Sequence, residues 1–578
     1  MGLFERKNYK IFFRSKGEAV LWLTGGGLMI SLIMIAFLIL LVLKNGLGNY
    51  IPLPITMMEL KNGELLMGEV TKSELYTLDK AKFDQLDDKD KLRINENGMK
   101  EKRYLLRIGN FELTNEHFKW VSEYEIKNRS YPKDAVIIER LEWGRFYGIP
   151  KEFRIDGKAV STDLNGIISN YKKYHDYVVK LWEEKVSIEK KEIGKLNHYI
   201  EKERLKLKKA SMDLSKAKAT KNELKIKEAQ AIYEMSKAEF DAFDKSVKKN
   251  YERLIDKIDD LKKEYERYSI HFLTVDGKEK DVKLFEMIRS YYANQLTFSE
   301  KVGVYFSRWV EFLTGEPREA NSEGGVFPAI FGTVVMTLIM SMFVVPFGVI
   351  AAIYMKEYAK SGKLISILRI AINNLAGVPS IVYGVFGLGF FAYTLGASID
   401  KLFYSAKLPN PTFGTGGILW SSLTLALLTL PVVIVATEEA INAVPNSLRE
   451  GSYACGATKW QTIRYIVLPR AMPGIMTGFI LAMSRGAGEV APLMLVGAVK
   501  LAPEMPVDSI FPFVHLERSF MHLGFHIYDL GFQSQNSDAA IPMVYTTTLL
   551  LITIVVVLNV VAIYIRNRLR KKFIGSIF

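Results

Sequence analysis

Arg485 and Glu489 are the only charges in an otherwise apolar run, Met472 to Val499, and they stand four residues apart. On a helix that spacing puts both side chains on one face. A charge exposed to hydrocarbon costs at least about 2 kcal/mol, so such residues face a bundle interior or a water-filled path. Arg485 offers bidentate donors that stay protonated, which suits an oxyanion such as phosphate. Glu489 would hold the guanidinium in place and keep an anion from binding too tightly. A purely structural ion pair between helices is the competing reading of the same two residues.

Other polar residues recur inside apolar runs. Pro379 interrupts the run Ile370 to Leu395 next to Ser380 and Tyr383. A half-helix starting there would present free backbone N–H groups, a good anion site, so Ser380 and Tyr383 are candidate lining residues. A proline kink, with Gly377, Gly384 and Gly387 allowing close packing, fits equally well. Thr333, Thr337 and Ser341 form a hydroxyl stripe at four-residue spacing, with Thr337 the candidate for lining a path. Such stripes more often bond their own backbone. Gly474, Gly478, Ala482 and Gly486 also repeat every four residues and predict a helix-packing face.

No catalytic constellation accompanies them. The sequence has no GxxxxGK[ST] phosphate loop, no HExxH and no GxSxG, so it lacks the usual P-loop route to ATP hydrolysis. Energy for any driven process would come from another subunit. The single cysteine, Cys455, excludes an internal disulfide and a CxxC site and reads as a small packing residue.

The elements that carry these residues are membrane spans. A mean hydropathy of +0.08 averages very apolar and very charged regions. Runs long enough to cross a bilayer fall at Val20 to Leu43, Val326 to Met355, Ile370 to Leu395, Gly417 to Ala436, Met472 to Val499 and Ile541 to Ile565. The first follows Arg6, Lys7, Lys10, Arg14 and Lys16 but ends in KNGLGNY without a small-x-small cleavage site, so a retained anchor is expected. The net charge of +14 gathers at membrane edges and in one helical region, with no nucleic-acid motif, so the partner it implies is lipid. Simple alternation puts the basic N-terminus (1–19), KEYAKSGKLISILR and the tail RNRLRKK on one side, predicted to be cytoplasmic.

Residues 44–324 then form one extracytoplasmic insertion. Its parts 44–164 and 269–324 carry β-prone runs such as RYLLRIG and DAVIIERLEWGRF, predicting an α+β unit. Residues 165–268 predict a coiled-coil helical hairpin projecting from the membrane: Lys195 to Asp276 has no Gly or Pro, and charges of both signs alternate. Tyr251, Leu254, Ile258, Leu261, Tyr265 and Tyr268 follow the spacing of a coiled-coil seam. The turn is expected near KATKN, 218–222, and a β-hairpin at Asp276-Gly277. The Lys-rich faces read as solvated helix surface.

The loop 438–470 is polar and basic between two apolar runs. Asn446 is placed to cap a helix running to Cys455, and Gly456 to reverse the chain with φ above zero. Thr458 with Gln461 forms a capping box that starts a second helix leading into the fifth span.

Glu450, Gly456, Ile466 and Leu468-Pro469 fall at the spacing of the EAA loop, EAA-x3-G-x9-I-x-LP. That loop is the signature of bacterial ABC-importer permeases, with EGS here where the family has EAA. NLAGVPSIVYGVFGLG, GEVAPLML, GGVFPAIFGT and SLREGSYACGATKWQTI resemble the PstA-type permease subunit of phosphate ABC importers. The resemblance implies a mainly α membrane protein of six transmembrane helices, with a permease core at 325–568 and a tail at 569–578. It implies that Glu450, Gly456, Ala457, Thr458, Leu468 and Pro469 couple to an ATPase, and that Arg485, Glu489, Ser380, Tyr383 and Thr337 line the substrate path. Implied partners are a PstC-like permease subunit, two ATPase subunits that bind ATP and Mg, and an extracytoplasmic phosphate-binding protein. The implied location is the bacterial cytoplasmic membrane with both termini inside, and this chain would bind no cofactor. A permease for molybdate or sulfate, or a membrane scaffold or sensor using its coiled coil, are the alternatives.

Overall fold

The computed structural model describes residues 16–84, 86–220, 222–360, 362–534 and 537–574. Arg6, Lys7, Lys10 and Arg14, and residues 575–578 of the tail, lie outside the described residues. Among the described residues six helices are long and apolar enough to cross a membrane. They are Trp22–Gly48, Phe327–Tyr358, Ser380–Phe403, Ile418–Asn442, Lys459–Gly488 and Ala540–Arg568, taken below as the first to sixth spans.

Proline moves two of these boundaries from the positions expected. A proline removes a donor and clashes with the carbonyl four residues back. Pro379 accordingly follows a helix that ends at Leu375, so Lys363–Leu375 is a separate amphipathic helix and the third span begins at Ser380. Pro492 likewise ends the fifth span at Gly488, and a short helix, Ala491–Val496, resumes beyond the break.

The fourth span is the hub of the core, packed on the second and the fifth. The first half of the expected small-residue face is its contact with the fifth: Gly474 lies against Ala440, and Gly478 against Ala436, whereas Gly486 lies against Met340 of the second span. A Cβ at Gly478 would stand 2.6 Å from that of Ala436, so only glycine permits this approach. The first span leans on the sixth, where the Asn49 side chain donates to Thr546 Oγ1 at 3.0 Å.

Between the first and second spans two antiparallel sheets are built from alternating apolar residues. One has the order β4-β3-β2-β1-β5, from Phe118–Ser122, Lys100–Arg107, Leu65–Thr77, Ile55–Leu60 and Ile126–Ser130 respectively. The other runs β10-β9-β7-β6-β11, from Glu279–Lys283, Tyr268–Leu273, Arg145–Ile155, Val136–Arg140 and Met287–Tyr291, with β8 (Lys158–Ser161) on β7. β9 and β10 meet around Gly277 at φ +79°.

The helical hairpin is inserted between β8 and β9. Its outgoing arm runs Leu164–Ser187, a π-helical stretch Ile188–Ile193, then Gly194–Ala219. Its return arm, Glu223–Tyr265, starts where the Asn222 side chain accepts from the amides of Leu224 and Lys225. Of the expected seam residues Ile258 is buried, Tyr265 is buried in the core of the second sheet, and Tyr251 is exposed. Tyr268 leaves the seam altogether: the helix has ended, and Tyr268 opens β9 with its ring stacked on Tyr174. Nor does the hairpin project clear of the core. Lys208 in its outgoing arm donates 2.7 Å to the Leu408 carbonyl, in the loop after the third span.

A buried ionic cluster joins the sheets to the spans. Glu139 of β6 pairs with Arg308 and Arg289, and Arg308 also donates to the backbone of Tyr50, just past the first span. Burial alone would raise the Glu139 pKa. The guanidinium groups of Arg308, Arg145 and Arg289 outweigh it and hold the carboxyl far below its usual range.

Candidate substrate path and coupling element

The two candidate sites lie at opposite ends of the fifth span, one in the loop that leads into it and one where its helix breaks. At its start, the helix Asn446–Ala454 is followed by Gly456 at φ +79°, a left-handed position that reverses the chain. Thr458 and Gln461 then form the reciprocal capping box that opens the next helix. One expectation fails here: Pro445 occupies the cap position of Asn446–Ala454, and no side chain caps it. A proline fixes its own φ near the helical value and lacks the N–H, so it enters the turn ahead of Asn446. Asn446 instead accepts from Arg449.

Arg449 locks this element to the core. It donates to the carbonyls of Ile441 and Val444 at the end of the fourth span and pairs with Glu357 of the second at 3.0 Å. The neighbouring Glu450 is exposed and forms no side-chain bond among the described residues, which leaves its carboxylate available to another molecule. Gly456 and Thr458 are exposed with it; Ala457, Leu468 and Pro469 are half-buried. The surface also presents Tyr453, Trp460 and Tyr465, all exposed, an aromatic set of the kind that anchors protein interfaces. No motif spacing singles out these aromatics in the sequence, although Tyr453 stands three residues from Glu450.

The other site lies at mid-depth. Met340, the middle residue of Phe327–Ile353, sits directly over Gly486. The adjacent Arg485 and the Glu489 at the break are therefore far from either membrane surface. Glu489 is past the helix end, in extended backbone, because Pro492 stops the helix at Gly488. The pair nevertheless closes, with Arg485 Nε to Glu489 Oε1 at 3.5 Å.

The third span brings its own break to this level, because Gly384 packs against the backbone of Pro492. Tyr383, one residue earlier, is buried and within electrostatic reach of Arg485, and its hydroxyl donates 2.6 Å to the Leu375 carbonyl. That carbonyl, at the end of Lys363–Leu375, also accepts from the Val378 amide, so the bond ties the third span to the turn before it. Ser380 is half-buried one turn away at the start of its helix. Thr337 is one turn from Met340 but wholly buried, and its hydroxyl donates 2.7 Å to the Thr333 carbonyl; Ser341 and Thr333 bond their own backbone in the same way.

Arg485 and Glu489 keep 37% and 23% of their side-chain surface open. A guanidinium cannot stay ionised against acyl chains without a large penalty. Their open side must therefore meet water, an anion or another polypeptide. Two discontinuous helices meeting at mid-depth, one carrying a cation, form a place where an anion can pause and be released.

Residues 344–574 match the family model described as binding-protein-dependent transport system inner membrane component. The chain is 37% identical over 206 residues to the probable ABC transporter permease protein YqgH of Bacillus subtilis (strain 168), covering 35% of this chain and 62% of that protein. It is 40% identical over 190 residues to the phosphate transport system permease protein PstA 1 of Mycobacterium tuberculosis (strain CDC 1551 / Oshkosh), covering 33% of this chain and 56% of that one. The chain thus spans between 56% and 62% of the length of these two relatives. Among solved structures, the inward-facing MetNI methionine ABC transporter aligns with 42% of this chain and 94% of its own at 19% identity and a TM-score of 0.32.

Proposed function

We infer that this chain, whose membrane core belongs to the binding-protein-dependent transport inner membrane component family and is PstA-like in sequence, is a permease subunit of an ATP-driven phosphate importer. The observation that carries the reading is the Arg485–Glu489 pair, placed at mid-depth on a helix break with both side chains still partly open. The pair is not closed within this chain: both side chains present a face to whatever occupies the space beside the fifth span.

In this reading Arg485 binds the oxyanion through paired N–H donors, and Glu489 limits the residence time by competing for the same guanidinium. Tyr383 and Ser380 bound the path from the third span, and Thr337 fixes the backbone of the second. At the other end Glu450, Gly456, Ala457, Thr458, Leu468 and Pro469 form the docking element for an ATPase, which supplies ATP and Mg. Arg449 carries displacement of that element into the second and fourth spans, and the fifth span moves as one helix from Lys459 to Gly488. Two ATPase subunits, a PstC-like permease and an extracytoplasmic binding protein complete the importer. The element and both termini lie on the cytoplasmic side.

The test is uptake of radiolabelled phosphate by proteoliposomes holding the intact purified complex. Arg485→Ala should abolish uptake while subunit co-purification is unchanged; near-normal uptake would remove Arg485 from the path. Competition by molybdate or sulfate at equal potency would reassign the substrate.

A further inference from the structure

We propose that the amphipathic helix Phe298–Thr314 is an interfacial membrane helix, its apolar stripe seated among the acyl chains of the leaflet on the insertion side. The stripe is Phe298, Val302, Phe306, Val310 and Leu313, spaced at four and three residues. It is unpartnered: Phe298 is 83% exposed, and Phe306 and Val310 are each 61% exposed.

Its surroundings place it at the bilayer. The Phe312 and Gly315 carbonyls accept from the amides of Val326 and Phe327, so the helix ends where the second span begins. Tyr50, at the end of the first span, packs its ring edge-on against Trp309 at 5.2 Å and tilted against Phe312 at 5.6 Å. Tyr305 and Trp309 pack on the cluster that also contains Met543, Val544 and Ala329 from the sixth and second spans. Tyr305 to Phe312 covers about 10 Å of helix axis. A helix standing upright on the membrane would meet the span ends with one turn only; this one meets them over two, so it lies across them.

The angular order fixes what covers the stripe. At about 100° per residue, Val304, Arg308 and Glu311 face the sheets, and Tyr305, Trp309 and Phe312 face the spans. Val302, Phe306, Val310 and Leu313 come next around the helix, and Glu300, Ser307 and Thr314 follow on the far side. The open apolar stripe is thus the outward continuation of the face that packs on the spans, beside their lipid-exposed surface, with polar residues turned away from it. Tyr305 and Trp309 are the aromatic residues found at the headgroup level of such helices. Seating this helix in the leaflet would also anchor the ionic cluster through Arg308, fixing the insertion's height above the membrane.

The test uses full-length protein in nanodiscs with Cys455→Ser as background. A bimane is attached at Phe306→Cys or Val310→Cys, and at Glu300→Cys or Ser307→Cys as the polar-face controls. With phosphatidylcholine brominated near the headgroup end of its chains, quenching at 306 and 310 should exceed that at 300 and 307 roughly threefold, as for a helix buried along one face. Equal quenching at all four sites overturns the proposal. So does shielding of 306 from both bromolipid and aqueous iodide, which would mark a protein interface. In unsubstituted protein, a diazirine-bearing phospholipid should crosslink within residues 298–313, and absence of adducts there, with adducts present on the spans, also overturns it.

Discussion

In the insertion, the buried side chains include Glu139 and Arg308, held in a paired ionic cluster, while the spans bury glycine, alanine and hydroxyl groups and turn Met342, Phe347 and Ile350 outward. The two regions answer to different solvents. Water drives apolar residues of the sheets inward and lets charged groups follow only as compensated sets. Lipid exerts no such drive, so the helices associate through close backbone approach and satisfy hydroxyls such as those of Thr333, Thr337 and Ser341 within their own turns. A charge is structural in the first region and conspicuous in the second, which is why the partly open Arg485 stands out as a candidate for function and the buried, paired Arg308 does not.

Three perturbations would sharpen or break that contrast. The largest effect is expected from Glu139→Ala, which leaves Arg308 buried without its paired carboxylate, while Arg289 keeps Glu311 at 3.0 Å. A loss of about 3–5 kcal/mol is expected, read as a drop in the melting temperature of detergent-purified protein; a shift no larger than for an exposed glutamate would show that the cluster is solvated.

Acid comes second. His522 and His526 are buried outside the spans, and burial lowers their pKa to about 3 and about 4, with Asp529 and Lys500 acting in opposite senses on His526. The unfolded chain binds protons from about pH 6.5 downward while the folded chain does not, so stability falls as pH drops through 6.5 and levels off only below about 3. A decline of about 1.4 kcal/mol per pH unit per histidine is expected over that window, and His526→Asn should remove half of the slope.

The smallest effect is expected from Gly478→Val, which forces the fourth and fifth spans apart at Ala436 and costs about 1–3 kcal/mol. Unchanged melting would show that this contact is not close-packed.

Legibility in the sequence followed the range of the interactions. The Gly456 reversal, the Thr458–Gln461 box and the Asp276-Gly277 hairpin are set by neighbours within a few residues and were readable directly. The breaks at Pro379 and Pro492 had a local signal too, but long apolar runs concealed it, because hydropathy reports where a chain crosses and not whether its helix is continuous. Tyr268 kept the seam periodicity after the helix had ended, since β9 buries the same face for a different reason. Glu139 with Arg308, and Arg449 with Glu357, join residues 169 and 92 positions apart, and no local pattern points from one to the other.

The sequence alone determined the number of spans, the separate insertion with its helical hairpin, and the turn and capping of the loop 438–470, because bilayer thickness, helical period and turn geometry act along the chain. Only the tertiary structure decided that the two helix breaks meet at the depth of Met340, that the Arg485–Glu489 pair stays partly open, and that Phe298–Thr314 lies across the span ends. Those depend on which faces pack together, and packing is selected by complementarity between distant residues.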